Sequence, residues 1–207
     1  MIKNIVFDMG GVLLDYNPPR FISHLTTDEA DAALLMREVF NSVEWFRLDH
    51  GTIGQAEAAA AMRSRLPAHL HDAVDRLNEW WKLEMQPVEG MAELAAELKD
   101  LGCGIYLLSN ATVRQPEYFD RLPSARYFDG KFVSAFYKML KPQYEIYAAM
   151  LKEFGLKAEE CFFVDDSAAN VEGARCAGIA GTVFYGDVER LREALSQAGV
   201  PVRMGQN

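Results

Sequence analysis

The 207-residue chain is half hydrophobic and one-quarter charged, with 30 acidic against 21 basic side chains and a formal net charge of −9. This is ordinary globular composition, which argues against a disordered chain, and the length suits one α/β core with a small insertion. No Lys/Arg block stands out, so nucleic-acid and anionic-membrane surfaces are disfavoured as partners. The acidity does not exclude a phosphate substrate, because one bound divalent cation reverses the local field.

Three scattered cysteines, Cys103, Cys161 and Cys176, form no Cys-x-x-Cys pair. Cys103 and Cys161 flank or begin apolar runs and read as buried thiols of a reducing compartment. The first apolar stretch stops at Asp8, too short for a secretory signal, and no run approaches membrane-spanning length. The expected location is the cytoplasm.

In chain order, Ile5-Val6-Phe7 forms a strand-length apolar run that stops at Asp8-Met9-Gly10-Gly11. From about 18 to 86 the patterns are helical only, which predicts an all-helical insertion. Thr26 or Thr27 is expected to cap a helix running through Ala32, Leu35, Met36, Val39 and Phe40. Thr52 is expected to cap one over 56–66, and another spans about 71–83. Trp45, Arg47, Leu48, Asp49 and His50 are placed between two of these helices.

The core pattern then resumes. An amphipathic helix over 91–101 ends at Gly102. A second run, 104–108, stops at Ser109-Asn110. A strand is expected over 131–136, a helix over 144–154 ending at Gly155, a third run over 161–164 stopping at Asp165-Asp166, a strand over 182–185 and a helix over 188–198. Residues 203–207 are expected to fray. Alternating strand and helix predicts a doubly wound parallel sheet, with core segments 1–17 and 87–207 and an inserted helical cap at 18–86. Such sheets bind ligands outside the carboxyl ends of their strands.

The polar residues gather at those ends. Asp8 precedes two glycines, Gly10 and Gly11, that permit a tight turn and close approach to a ligand. Ser109-Asn110 offers a hydroxyl and an amide to phosphate oxygens. Lys141 precedes a helix start, with Pro142 placed in its first turn, where a lysine is disfavoured unless an anion sits beside it. Asp165-Asp166 pairs two carboxylates that repel until a cation relieves them, and oxygen ligands suit Mg²⁺. Each site alone also reads as a cap, a turn or a solvated charge.

Taken in order, Asp8-Met9-Gly10-Gly11-Val12-Leu13, Ser109-Asn110, Lys141-Pro142 and Asp165-Asp166 resemble the four motifs of the haloacid dehalogenase superfamily. The helical insertion resembles that family's C1-type cap. The likeness is nearest to a branch of small bacterial phosphatases that includes an α-glucose-1-phosphatase. It implies that Asp8 attacks phosphorus and becomes an aspartyl-phosphate. Gly10, Gly11, Ser109, Asn110 and Lys141 would hold the phosphoryl group, with Lys141 also neutralising Asp8. Asp8, the carbonyl of Gly10, Asp165 and Asp166 would hold Mg²⁺. A small phosphorylated metabolite is the implied partner; whether the chain is a monomer or a homodimer is not legible.

One position departs from the family. Most of its phosphatases carry a second aspartate two residues after the nucleophile, as general acid; here that residue is Gly10. Losing a general acid costs about 10²–10⁴ in rate. Either the enzyme is slow, or Asp15, Tyr16, Asp49, His50 or a water substitutes, or the leaving group is good. The last is favoured and points to a sugar 1-phosphate such as glucose 1-phosphate, with Trp45, Arg47 and His50 as possible sugar contacts. Trp45 reads more readily as cap core and Arg47 as a solvated charge, and Trp80-Trp81 as cap packing. Two rivals remain. A metal-free dehalogenase gains nothing from paired Asp165 and Asp166, and a non-catalytic binding protein has no use for the retained nucleophile and lysine.

Overall fold

The computed structural model describes residues 1–204; residues 205–207, most of the tail expected to fray, lie outside the described residues. Strands β1 (Asn4–Phe7), β2 (Gly104–Ser109), β3 (Gly130–Val133), β4 (Cys161–Asp165) and β5 (Ala180–Val183) form one parallel sheet in the order β3-β2-β1-β4-β5. Ile5, Phe7, Ile105, Leu107, Phe162 and Val164 pack into one face, and Val6, Leu108, Phe132 and Phe163 into the other. Both faces are buried, which is why these strands are apolar runs rather than alternating patterns. The chain leaves β1 for β2 and β3 on one side, then returns to β4 and β5 on the other. The crevice between the carboxyl ends of β1 and β4 is therefore the switch point where ligands bind.

The helices are α1 (Pro18–Ser23), α2 (Glu29–Leu35), α3 (Val43–Asp49), α4 (Gln55–Ser64), α5 (His71–Leu77), α6 (Met91–Asp100), α7 (Pro116–Phe119), α8 (Ser134–Tyr137), α9 (Tyr144–Phe154), α10 (Ala168–Cys176) and α11 (Val188–Gln197). No strand falls between β1 and α6. The two segments that enter and leave the helical insertion run side by side: Asp15 N–H donates to the Gln86 carbonyl (2.8 Å) and Val88 N–H to the Leu13 carbonyl (3.1 Å). The insertion also touches the sheet layer directly. Ser134 Oγ donates to the Asp49 carbonyl at 2.5 Å, and Gly51, at φ 71°, lies so close to Ala135 that any Cβ would collide with its backbone.

Several boundaries differ from the sequence expectation. The cap of α2 is Asp28, whose carboxylate accepts from Asp31 N–H, rather than Thr26 or Thr27. A π-helical turn, Met36–Phe40, continues that helix. Gly54 precedes α4 in place of Thr52, and the 71–83 helix breaks into α5 and a 3₁₀ turn at Trp80–Lys82. Trp45 to Asp49 lie on α3, because Ser42 caps a helix there through Trp45 N–H. The 131–136 run splits into β3 and α8, and β5 ends at Val183, before Phe184 and Tyr185. Pro142 stands ahead of α9 rather than in its first turn. Cys103 and Cys161 are buried and Cys176 is exposed, all three free. Among the described residues no helix is long and apolar enough to cross a membrane.

Candidate active site

Asp8 N–H donates to the Val164 carbonyl at 2.8 Å, extending the β1–β4 ladder by one residue, so the carboxylate leaves at the mouth of the sheet. The chain then curls back: Leu13 N–H donates to the Met9 carbonyl and Gly11 N–H to the Leu14 carbonyl, both at 2.8 Å. Gly11 turns at φ 74°, and a Cβ there would collide with the Asp166 carboxylate, whose Cγ would lie 2.7 Å away. Only glycine fits under Asp166.

Lys141 links the strand ends. Its Nζ lies 2.8 Å from Asp8 Oδ1, 2.6 Å from Asp165 Oδ2 and 3.0 Å from the Leu108 carbonyl, so its three donors are all used. The Lys141 backbone is fixed in turn by Asn110, whose Oδ1 accepts from Lys141 N–H (2.9 Å) and whose Nδ2 donates to the Lys141 carbonyl (3.1 Å). Asp165, fully buried, spends its other oxygen on Ser167 N–H (2.8 Å) and Asn170 Nδ2 (2.9 Å).

Asp8, Asp165 and Asp166 each offer an oxygen within 4.8 Å of the others, the one such cluster among the described residues. Three carboxylates against one ammonium leave two surplus negative charges. The strain shows in protonation. Burial pushes Asp8 up to about 7 despite Lys141, with Asp165 adding to the rise. Burial and Asp165 likewise raise Asp166. Burial pulls Lys141 down, but Asp8 and Asp165 outweigh it and hold the ammonium charged. An all-oxygen cluster with this surplus suits a hard divalent cation.

Above the cluster lies a cavity of about 220 Å³ between the sheet edge and the helical insertion. Asp8, Gly10, Ser109, Asn110 and Asp166 line its base. Of the expected phosphate-binding residues, Lys141 is buried beneath this floor and Gly11 is tucked under Asp166. Of the candidate substitute acids, Tyr16 and Asp49 line the cavity. Asp15 is paired with Arg20 (2.7 Å), and His50 stacks on Phe46. The Asp49 carboxyl has no hydrogen bond or ion pair among the described residues, and burial, then the charge of Asp8, hold its pKa well above the ordinary carboxylate range. Burial and Asp49 raise Tyr16 in the same way.

Trp45 both packs on Phe40 (4.6 Å between ring centroids) and lines the cavity, whereas Arg47 turns to the Thr52 carbonyl (3.3 Å). Trp80 and Trp81 are packed, as expected, and also form cavity wall. Met9, Gln55, Asn78, Ala111, Thr112 and Tyr118 complete the lining. Gln55, Asn78 and Tyr118 come from separate helical segments, and no local pattern in the sequence marks them.

A family model described as haloacid dehalogenase-like hydrolase matches residues 2–178. The sesquiterpene phosphatase astK of Aspergillus oryzae is 31% identical over 86% of this chain and 88% of its own. A phosphorylated carbohydrates phosphatase of Thermotoga maritima is 26% identical over 96% and 92%. A haloacid dehalogenase-family enzyme of Bacteroides thetaiotaomicron, solved in complex with magnesium and inorganic phosphate, superposes with a TM-score of 0.72 at 22% identity, over 92% of this chain and 99% of that one. With the strand-end carboxylates and the matched span together, the chain belongs to the haloacid dehalogenase-like hydrolase family.

Proposed function

We propose that the chain is a magnesium-dependent phosphomonoesterase acting on a small phosphorylated metabolite, with Asp8 as the covalent nucleophile. The observation that carries this reading is the meeting of Asp8, Lys141, Asp165 and Asp166 at one sheet edge, with two surplus negative charges. The names of the relatives, a sesquiterpene phosphatase and a phosphorylated carbohydrates phosphatase, support the reaction class. Residues 1–17 and 87–207 would form the core that holds the chemistry, and 18–86 the cap that meets the substrate. Three free cysteines, two of them buried, fit a reducing cytoplasm.

In this reading Asp8, Asp165, Asp166 and the Gly10 carbonyl hold Mg²⁺, which when bound neutralises the phosphoryl oxygens and the carboxylates. Ser109, Asn110 and the Gly10-Gly11 backbone orient the phosphoryl group. Asp8 forms a bond to phosphorus as the ester P–O bond breaks, while Lys141 offsets the charge of the nucleophile. Asp49 gives its proton to the departing oxygen. A water then attacks phosphorus, Asp49 accepts its proton, and phosphate leaves with Asp8 restored. Asp49 takes the place of the acid absent at Gly10; burial and the charge of Asp8 raise its pKa, which favours the proton-carrying form.

A second reading, in which nothing replaces the acid absent at Gly10, is a sugar 1-phosphate such as glucose 1-phosphate, whose anomeric oxygen leaves with less need of a proton. A screen of phosphorylated metabolites with Mg²⁺, run beside Asp8→Asn, tests the proposal. Phosphate release by the wild type and none by Asp8→Asn is expected. Absence of release from every ester, p-nitrophenyl phosphate included, or metal-independent turnover of haloacids, would refute it.

A further inference from the structure

We infer that the alcohol of the substrate is a compact, uncharged apolar group, aromatic or isoprenoid, seated in the aromatic chamber above Asp8. This rests on the phosphatase reading above and assigns its substrate class. The chamber walls are Tyr16, Trp45, Trp80, Trp81 and Tyr118, brought in from the loop after β1, from α3, from the turn after α5 and from α7. The rings brace one another. Tyr16 meets Trp80 edge-on at 5.2 Å, Trp80 meets Tyr118 at 5.1 Å, and Trp81 stacks on Tyr118 at 4.6 Å. Trp80, Trp81 and Tyr118 are each at least 95% buried, so the wall is a preformed apolar surface.

Gly10 takes part in this arrangement. A Cβ at residue 10 would already touch Tyr16, at 3.4 Å from its Cβ and 3.6 Å from its ring. Tyr16 thus packs directly against the face of residue 10, the position where the family resemblance would place an acid.

Charge points the same way. No lysine or arginine lines the cavity. Arg114 lies over Trp81 at 4.8 Å, but Glu79 and Glu117 hold its guanidinium, at 2.9 and 2.7 Å. A second anionic group on the substrate therefore has no partner. Above the floor, the side-chain polar groups of the lining are those of Asp49, Gln55, Asn78 and Thr112, the hydroxyls of Tyr16 and Tyr118, and the indole N–H groups of the tryptophans; of these, Asn78 Oδ1 and Trp81 Nε1 are buried without partners. Sugar hydroxyls that face the five rings instead would be desolvated against aromatic carbon, which costs affinity. Size sets the upper bound: a cavity of about 150 Å³ takes one benzene, so 220 Å³ shared with the phosphoryl group leaves room for one ring or a short isoprenoid chain.

The test is kcat/KM with Mg²⁺ for benzyl phosphate and dimethylallyl phosphate against glucose 1-phosphate and glucose 6-phosphate, with Trp45→Ala beside the wild type. The apolar esters are expected to lead by about tenfold or more. Trp45→Ala should raise KM for benzyl phosphate about tenfold while inhibition by inorganic phosphate stays within about twofold, since that anion touches only the floor. Glucose phosphates hydrolysed as well as the apolar esters would overturn the inference and leave the phosphatase reading standing. Equal weakening of inorganic phosphate by Trp45→Ala would also overturn it, by assigning Trp45 a structural role. If all four esters were inert with Mg²⁺ while p-nitrophenyl phosphate was hydrolysed, this inference would fall and the phosphatase reading would stand; p-nitrophenyl phosphate inert as well would count against that reading too.

Discussion

The ammonium of Lys141 lies 2.8 Å from Asp8 Oδ1, with the lysine side chain almost wholly withdrawn from water. It is the one fixed cation among three carboxylates, and removing it would strand two buried charges. Lys141→Met is expected to abolish turnover and to destabilise the metal-free protein by about 3–5 kcal/mol. Denaturant unfolding beside a phosphatase assay checks both. A stable, active Lys141→Met would show that the ion pair matters to neither.

Protonation of Asp8 couples metal binding to pH. Burial raises its folded pKa to about 7 from the ordinary 3.8, so the folded protein holds this proton more tightly than the unfolded chain does. The resulting stabilisation is present below about pH 4 and is lost as pH rises through about 7. Mg²⁺ must displace that proton, so its binding weakens in acid. The rise in Tm on saturating Mg²⁺ is expected to be larger at about pH 8 than at about pH 5.5, read by thermal unfolding. A pH-independent rise would contradict the coupling.

Gly11 is a sharp probe of the floor. Its left-handed turn at φ 74° and its contact with Asp166 leave no room for a methyl group. Gly11→Ala should displace Asp166 and weaken Mg²⁺ affinity by about tenfold or more, since disturbing the groups that position a ligand typically costs that much. Isothermal titration with Mg²⁺ reads this directly, and unchanged affinity would remove Asp166 from the cation site.

Asp49 should matter in proportion to how much the leaving group needs a proton. Asp49→Asn is expected to lower kcat/KM for alkyl phosphates by about 10²–10⁴, and far less for p-nitrophenyl phosphate, whose phenolate leaves unaided. Equal losses on both would reduce Asp49 to a structural residue.

The floor of the site was legible in the sequence because its signals are local. Asp8, Ser109 and Asp165 each end an apolar run, and a buried parallel strand that stops at a polar residue marks its own carboxyl end. The walls were legible only in part, because they are tertiary. Tyr16, Trp45 and Asp49 could be named as candidates, but Trp45 reads as contact or packing until α3 turns it over the floor, and nothing near Tyr118 or Asn78 in the chain signals a cavity. The helix starts were blurred by a different cause. Thr26, Thr27 and Asp28 can all cap, and in the fold it is Asp28 that accepts from Asp31 N–H. Likewise the run after Gly130 looks like one strand, but Ser134 leaves the ladder to bond Asp49 and Ala111, which starts α8.

The central claim is that Asp8 carries the phosphoryl group. Acid-quench the enzyme during turnover of a ³²P-labelled ester with Mg²⁺, digest it, and locate the retained label by mass spectrometry. The label is expected on the peptide containing Asp8, absent without Mg²⁺ and absent from Asp8→Asn. Label on another residue, or phosphate release by Asp8→Asn at the wild-type rate, would contradict the mechanism.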